Sequence, residues 1–85
     1  MKVWFMRDNH TFVFVGAGSN QRHELEAKAG VLFSKNPYGH LFARDSRDRE
    51  IASLGGSASN RGMLVLGLKR FFDKVDEYSN WEARG

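Results

Sequence analysis

Between residues 60 and 79 the apolar residues Leu64, Leu68, Phe71, Val75 and Tyr78 recur at spacings of 4, 3, 4 and 3. That repeat marks one face of an α-helix. Lys69, Arg70, Asp73, Lys74, Asp76 and Glu77 fill the other face. A helix with one apolar stripe needs another element to cover the stripe, so the rest of the chain must supply a packing surface. Ser59 or Asn60 is placed to cap its N-terminus. Gly67 lies beside Leu64 and Phe71 on this helix. It costs about 1 kcal/mol relative to Ala in a helix interior, which a close approach to a sheet would explain.

The preceding sequence reads as that sheet. In residues 2–7 (KVWFMR), Val3 and Phe5 alternate with Trp4 and Met6, and Asp8-Asn9-His10 forms a turn. Residues 11–15 (TFVFV) are β-branched or aromatic and pair back on the first strand. Residues 24–34 (ELEAKAGVLFS) admit two readings. Their Glu, Leu, Ala and Lys are good helix formers, with Gly30 as a stop. Yet Leu25, Ala27, Ala29, Val31 and Phe33 recur at every second position. With Leu25 and Ala29 counted as the helical stripe, the alternation prevails, and the segment is expected to be a third strand. Asn36-Pro37-Tyr38-Gly39 fits a type I turn. Residues 40–45 (HLFARD) form the next strand, Ser46-Arg47-Asp48 a turn, and 49–54 (REIASL) a last strand. The expected fold is α+β: an antiparallel β-meander of four to five strands followed by one C-terminal helix packed on the sheet. His10-Thr11-Phe12 and His40-Leu41-Phe42 echo one another after turns, but three residues are too few to define a repeat.

With 85 residues, a single small domain over 1–85 is expected. The seven Phe and two Trp argue against disorder. The absence of cysteine excludes disulfides and thiolate metal sites, and makes a reducing cytoplasm the expected compartment. MKVWFMRDNH has too short an apolar run for a secretory signal. No stretch reaches the roughly 20 apolar residues that span a bilayer. The net charge of +3 and pI near 9.6 are a mild basic bias, compatible with an anionic partner.

Few residues suggest chemistry. Gly16-Ala17-Gly18 follows a strand, but a dinucleotide fingerprint needs a small residue where Gln21 stands, and a βαβ unit around it. A hairpin loop using glycine is expected instead. Gly55, Gly56, Ser57, Ser59 and Asn60 form a loop before the helix, whose N–H groups make it a candidate anion site, with Arg61 adding charge. It lacks the Gly-Lys-Ser/Thr ending of a nucleotide-hydrolysing loop. His10, His23 and His40 are scattered, unlike zinc ligands. Asp45, Asp48 and Glu50 alternate with Arg44, Arg47 and Arg49, which reads as cross-strand ion pairing and not as a catalytic pair. No enzyme activity, cofactor or metal is therefore expected.

Residues 31–72 resemble one repeat of the small bacterial YegP-like domain of unknown function. The resemblance is carried by Lys35, Asn36 and Gly39 in the first turn, by Phe42, Glu50, Ile51 and Ser53 in the strands, and by Gly67, Leu68 and Phe71 in the helix. Arg47-Asp48-Arg49 replaces that family's Asn-Gly turn, and its aromatic after the serine loop is missing. The resemblance implies a ββββα architecture and nothing about mechanism.

The remaining pattern is basic and aromatic. Arg44, Arg47 and Arg49 cluster at one hairpin, Lys69, Arg70 and Lys74 lie on the wet helix face, and Arg61 stands at its start. These seven are the candidate phosphate contacts, with Tyr38 or Phe42 as stacking surfaces. Trp4, Met6, Phe12 and Phe14 populate the sheet's second face, so part of it is expected to stay open as a partner site or, through an edge, a dimer interface. The expectation is a non-enzymatic binding module of bacterial or bacteriophage origin that engages nucleic acid or a nucleoprotein. The alternative is a protein-binding inhibitor or accessory subunit, for example a phage anti-defence protein, acting through sheet edge and aromatics.

Overall fold

The computed structural model describes residues 1–8, 10–17, 20–55 and 61–84, with backbone only at 61 and 79–84. The elements run β1 (Lys2–Met6), β2 (Phe12–Ala17), α1 (Arg22–Lys35), β3 (His40–Arg44), β4 (Glu50–Gly55) and α2 (Arg61–Arg84). The class is α+β, with a four-stranded antiparallel sheet in the order β2-β1-β3-β4 and the C-terminal helix packed on it. Among the described residues no helix is long and apolar enough to cross a membrane.

The segment expected as a third strand is the helix α1. The reason is visible in its burial. Leu25, Ala29 and Phe33, one turn apart, are buried, whereas Ala27 and Val31 of the same alternating series are exposed. Every-second spacing contains every-fourth spacing, and Phe33 completes a stripe that Leu25 and Ala29 alone leave too thin. Phe33 packs edge-on against Phe5 with ring centroids 4.9 Å apart. Good helix formers then decide the local geometry. Because α1 connects β2 to β3, the chain lays β3 against β1 and not against β2.

The result is two ββα units. Strand starts Lys2 and His40, and Phe12 and Glu50, are each 38 residues apart, and the helix starts Arg22 and Arg61 are 39 apart. Trp4 and Phe42, equivalent at that offset, stand directly opposite each other where β1 meets β3. Both hairpin turns close the same way: Arg7 N–H donates to the Thr11 carbonyl at 2.9 Å, and Asp45 N–H to the Arg49 carbonyl at 3.0 Å. The faint echo of His10-Thr11-Phe12 in His40-Leu41-Phe42 is not this repeat: those residues are 30 apart and fall at the starts of the non-equivalent strands β2 and β3.

One face of the sheet carries the core. Val3, Phe5, Val15, Leu41, Ala43 and Ala52 meet Leu25, Ala29 and Phe33 of α1 and Leu68, Phe71, Phe72 and Val75 of α2. Burial of such side chains contributes roughly 1.5–3 kcal/mol each. Gly67 is explained as expected: a Cβ there would lie 2.8 Å from Leu54 Cδ1. Asn36–Gly39 closes with Gly39 N–H donating to the Asn36 carbonyl at 2.9 Å, and a Cβ at Gly39 would strike the buried Phe5 ring. Arg22 ties the helices together, with Nε 2.7 Å from Glu26 and Nη1 2.7 Å from Asp73 and 2.8 Å from Asp76.

Candidate functional site

Strand alternation sends Val3, Phe5, Leu41 and Ala43 into the core, so Lys2, Trp4, Met6, His40, Phe42 and Arg44 point to the opposite face. Register extends this face across the sheet. Phe14 stands beside Trp4, Trp4 beside Phe42, and Phe42 beside Ser53. Phe12 stands beside Met6 and Met6 beside His40. Lys2 stands beside Arg44 and Arg44 beside Glu50. Both helices contribute to the core on the other side, so no described element covers these three ranks.

The rings on this open face form two edge-on pairs, set side by side by the Trp4–Phe42 register. Trp4 and Phe14 meet edge-on at 5.0 Å, and Phe12 meets Phe42 edge-on at 6.1 Å. His40 tilts towards Phe42 at 6.5 Å, and the Arg44 guanidinium lies 5.0 Å from the Phe42 centroid, a cation–π contact. Flanked in this way, Phe42 is only 5% exposed, whereas Phe12 is 52% and Phe14 43% exposed. Two rings therefore offer free faces and edges, and two more support them.

The cations next to the rings are arranged against local stability. Lys2 and Arg44 are directly opposite on neighbouring strands. Like charges in that position repel. Asp48 lies 3.7 Å from Arg44 and Glu50 is its other cross-strand neighbour, so the compensating acids sit on the β4 side. The β1 side of Arg44 has only Lys2 opposite it in the ladder.

The sequence candidates separate into three groups. Arg44 belongs to the open face, as above. Arg49 is engaged in structure: its Nε donates to Asp45 Oδ2 at 3.0 Å. Asp45 is buried and also accepts from Arg47 N–H and Arg49 N–H at 2.9 Å and from the Tyr78 hydroxyl at 3.0 Å. These donors, first the Arg49 backbone N–H, hold its carboxyl down to about 2. Arg47 is exposed at the turn. Lys69, Arg70 and Lys74 are exposed on α2, on the helix side of the sheet. Arg70 and Lys74 line a depression beside Ala52, Ser53 and Leu54 of the edge strand β4. The six candidate cations with described side chains do not converge on one patch.

Gly55 ends β4 beneath His40, while Gly56, Ser57, Ser59 and Asn60 of the candidate anion loop, both proposed helix caps and the Arg61 side chain lie outside the described residues. Gly16-Ala17-Gly18 does lead into a helix, contrary to the expected strand. Its sheet is antiparallel, and a Cβ at Gly16 would collide with Leu25 of α1. Gly16 thus serves helix packing, and no described glycine has positive φ. No three described His, Asp or Glu residues gather as metal ligands. Tyr38, at a turn, is 90% exposed and makes no part of the ring surface.

Sequence reading placed Trp4, Met6, Phe12 and Phe14 on a second face, but not beside Arg44. The signal for that adjacency was the helix at 22–35, which brings β3 against β1 and sets Lys2 opposite Arg44. No family model, curated protein or solved structure matches the chain.

Proposed function

We propose that the protein is a non-enzymatic nucleic-acid-binding module and that the open face of its sheet is the binding surface. The observation that carries this reading is the rank Phe14–Trp4–Phe42 set beside the like-charged pair Lys2–Arg44. Half-exposed aromatic rings leave apolar area in water that a ligand can cover, and two opposed cations repel. An anionic ligand with flat, apolar groups relieves both at once. Four-stranded sheets that bind RNA use a similar surface, stacking two or three bases on aromatic side chains. The parallel is one of surface chemistry, not of ancestry.

In this reading Lys2 and Arg44 contact phosphate, Phe12, Phe14 and Trp4 contact bases, and Arg47 extends the positive field. Lys69, Arg70 and Lys74 add a diffuse attraction from the helix side. Fluorescence anisotropy with a labelled oligonucleotide at about 50 and 200 mM salt tests it. Binding that weakens with salt, with a slope reduced by about two in Lys2→Ala/Arg44→Ala, is the expected result. Absence of binding at the lower salt contradicts it.

A protein-binding role has separate support. Met63, Val65 and Leu66 in the first turns of α2 are 66%, 68% and 47% exposed. Leu64 and Val65 line a groove with Gly30, Ser34 and Pro37 of the α1 end. Association that persists at high salt and is abolished by Val65→Asp would favour this reading.

A further inference from the structure

Resting on the nucleic-acid reading of this face, we infer that its ligand is single-stranded, with unpaired bases stacked on Phe12 and Phe14 and the adjoining phosphate held between Lys2 and Arg44. Three observations select a single strand over a duplex.

The first is where the accessible ring area lies. Phe12 and Phe14 sit on β2, an edge strand, and are half exposed, so a base can reach them from above or from the open side. In a duplex the base faces are already stacked on each other, and only base edges and phosphates meet a protein surface. Exposed ring faces therefore match unpaired bases, whose stacking is tolerant of sequence.

The second is the placement of cations. A duplex groove is bordered by phosphates on both sides. Here the cations Lys2 and Arg44 occupy the rank at one end of the ring surface. At the opposite end stand Phe12, Met6, His40 and Gly55, with no Lys or Arg among them. Along β1 and β3 the rank of Phe12 lies four residues from the cations, and the rank of Phe14, Trp4 and Phe42 two residues, roughly 7 Å. The shorter distance is the reach from a stacked base to its own backbone phosphate.

The third is the position of the acids. Asp48 and Glu50 lie beside Arg44 on the β4 side. They repel a phosphate from that side and direct it towards Lys2, which keeps the attached bases over β1 and β2. A single backbone is thereby confined to one half of the sheet.

The test uses one labelled 12-nucleotide sequence, presented as a single strand and as a blunt duplex, to the intact protein and to Phe12→Ala, Phe14→Ala and the double variant. The expected result is at least about tenfold tighter binding of the single strand. Each ring removal should weaken single-strand binding by about 5- to 150-fold, the range for one stacked base, and change duplex binding little. Circular dichroism verifies that the exposed-ring variants stay folded, and Phe14→Leu, which keeps apolar bulk without the ring, should lose binding as Phe14→Ala does. Equal or tighter duplex binding overturns this inference but leaves the nucleic-acid reading standing. Single-strand binding unaffected by the ring variants also overturns it. Binding to neither form overturns both.

Discussion

The two ββα units share a frame but present different surfaces. Where the first hairpin places Phe14 beside Trp4, the second places Ser53 beside Phe42. Where the first places Phe12 beside Met6, the second places Glu50 beside Arg44. Their turns also diverge. Asp8 accepts N–H groups of His10 and Thr11 in full solvent, while Asp45 is buried and bound to Tyr78 of α2. The second unit, with its 24-residue helix, anchors the molecule, and the first exposes apolar rings that packing does not require. The second unit exposes aliphatic Met63, Val65 and Leu66 instead, so the exposed rings of Phe12 and Phe14 are confined to one copy of the frame, and that difference marks where to look for function.

The largest contrast expected is between equivalent core positions and the open face. Phe33 and Phe72, each at most 1% exposed, occupy matching places in the two helices. Truncation of either to Ala should cost about 3–5 kcal/mol in urea unfolding. For a chain this size that approaches the whole stability. Phe14→Ala should cost about 1 kcal/mol or less, the scale of a cross-strand pair. A Phe14 cost equal to that of Phe33 would make the open face part of the core and dissolve the contrast.

Next comes the difference between the two turn acids. The Asp45 carboxyl is held at about 2, below its usual value near 3.9 in an unfolded chain. The unfolded state therefore binds its proton first as pH falls. Its stabilisation is complete above about pH 4 and is lost as pH drops through 2. Asp45→Asn should lower the urea midpoint at pH 7 and flatten the loss of stability between pH 4 and 2. Asp8, whose carboxyl is lowered chiefly by the His10 N–H, should show the same sign with a smaller effect in Asp8→Asn. Equal effects would mean that the link to Tyr78 is not what distinguishes the turns.

The smallest effects concern one glycine in each helix. Nothing lies within 4 Å of a Cβ built on Gly30, so Gly30→Ala should stabilise by about 0.5–1 kcal/mol. At Gly67 the same gain is opposed by the approach to Leu54, so Gly67→Ala should gain less or lose stability in thermal unfolding. An equal gain at both sites would show that α2 has room to move off β4.

Much of this architecture is legible in the residues themselves. The stripe from Leu64 to Tyr78, the strands around Phe5 and Leu41 and the Asn36–Gly39 turn each follow from local pattern. The helix at 22–35 does not, because Leu25, Ala29 and Phe33 satisfy two periodicities and only packing against Phe5 separates them. The repeat is hidden for a related reason. At an offset of 39, Gly16, Leu25 and Phe33 match Gly55, Leu64 and Phe72, yet packing preserves little else. The open face was half visible: alternation places Trp4 and Phe42, but only strand order puts them side by side. Ion pairing among the arginines and acids of the second hairpin is legible in their alternation, but the burial of Asp45, the partner of Arg49, is not.

The central claim is that the ligand lies on the sheet face and not on the cationic side of α2. Amide shift mapping by two-dimensional NMR, titrating a short single-stranded oligonucleotide into isotope-labelled protein, tests it most directly. The largest shifts are expected at Lys2–Met6, Phe12–Phe14 and His40–Arg44, with Lys69, Arg70 and Lys74 little changed. Shifts centred on Lys69–Lys74, with the strands unmoved, would contradict it.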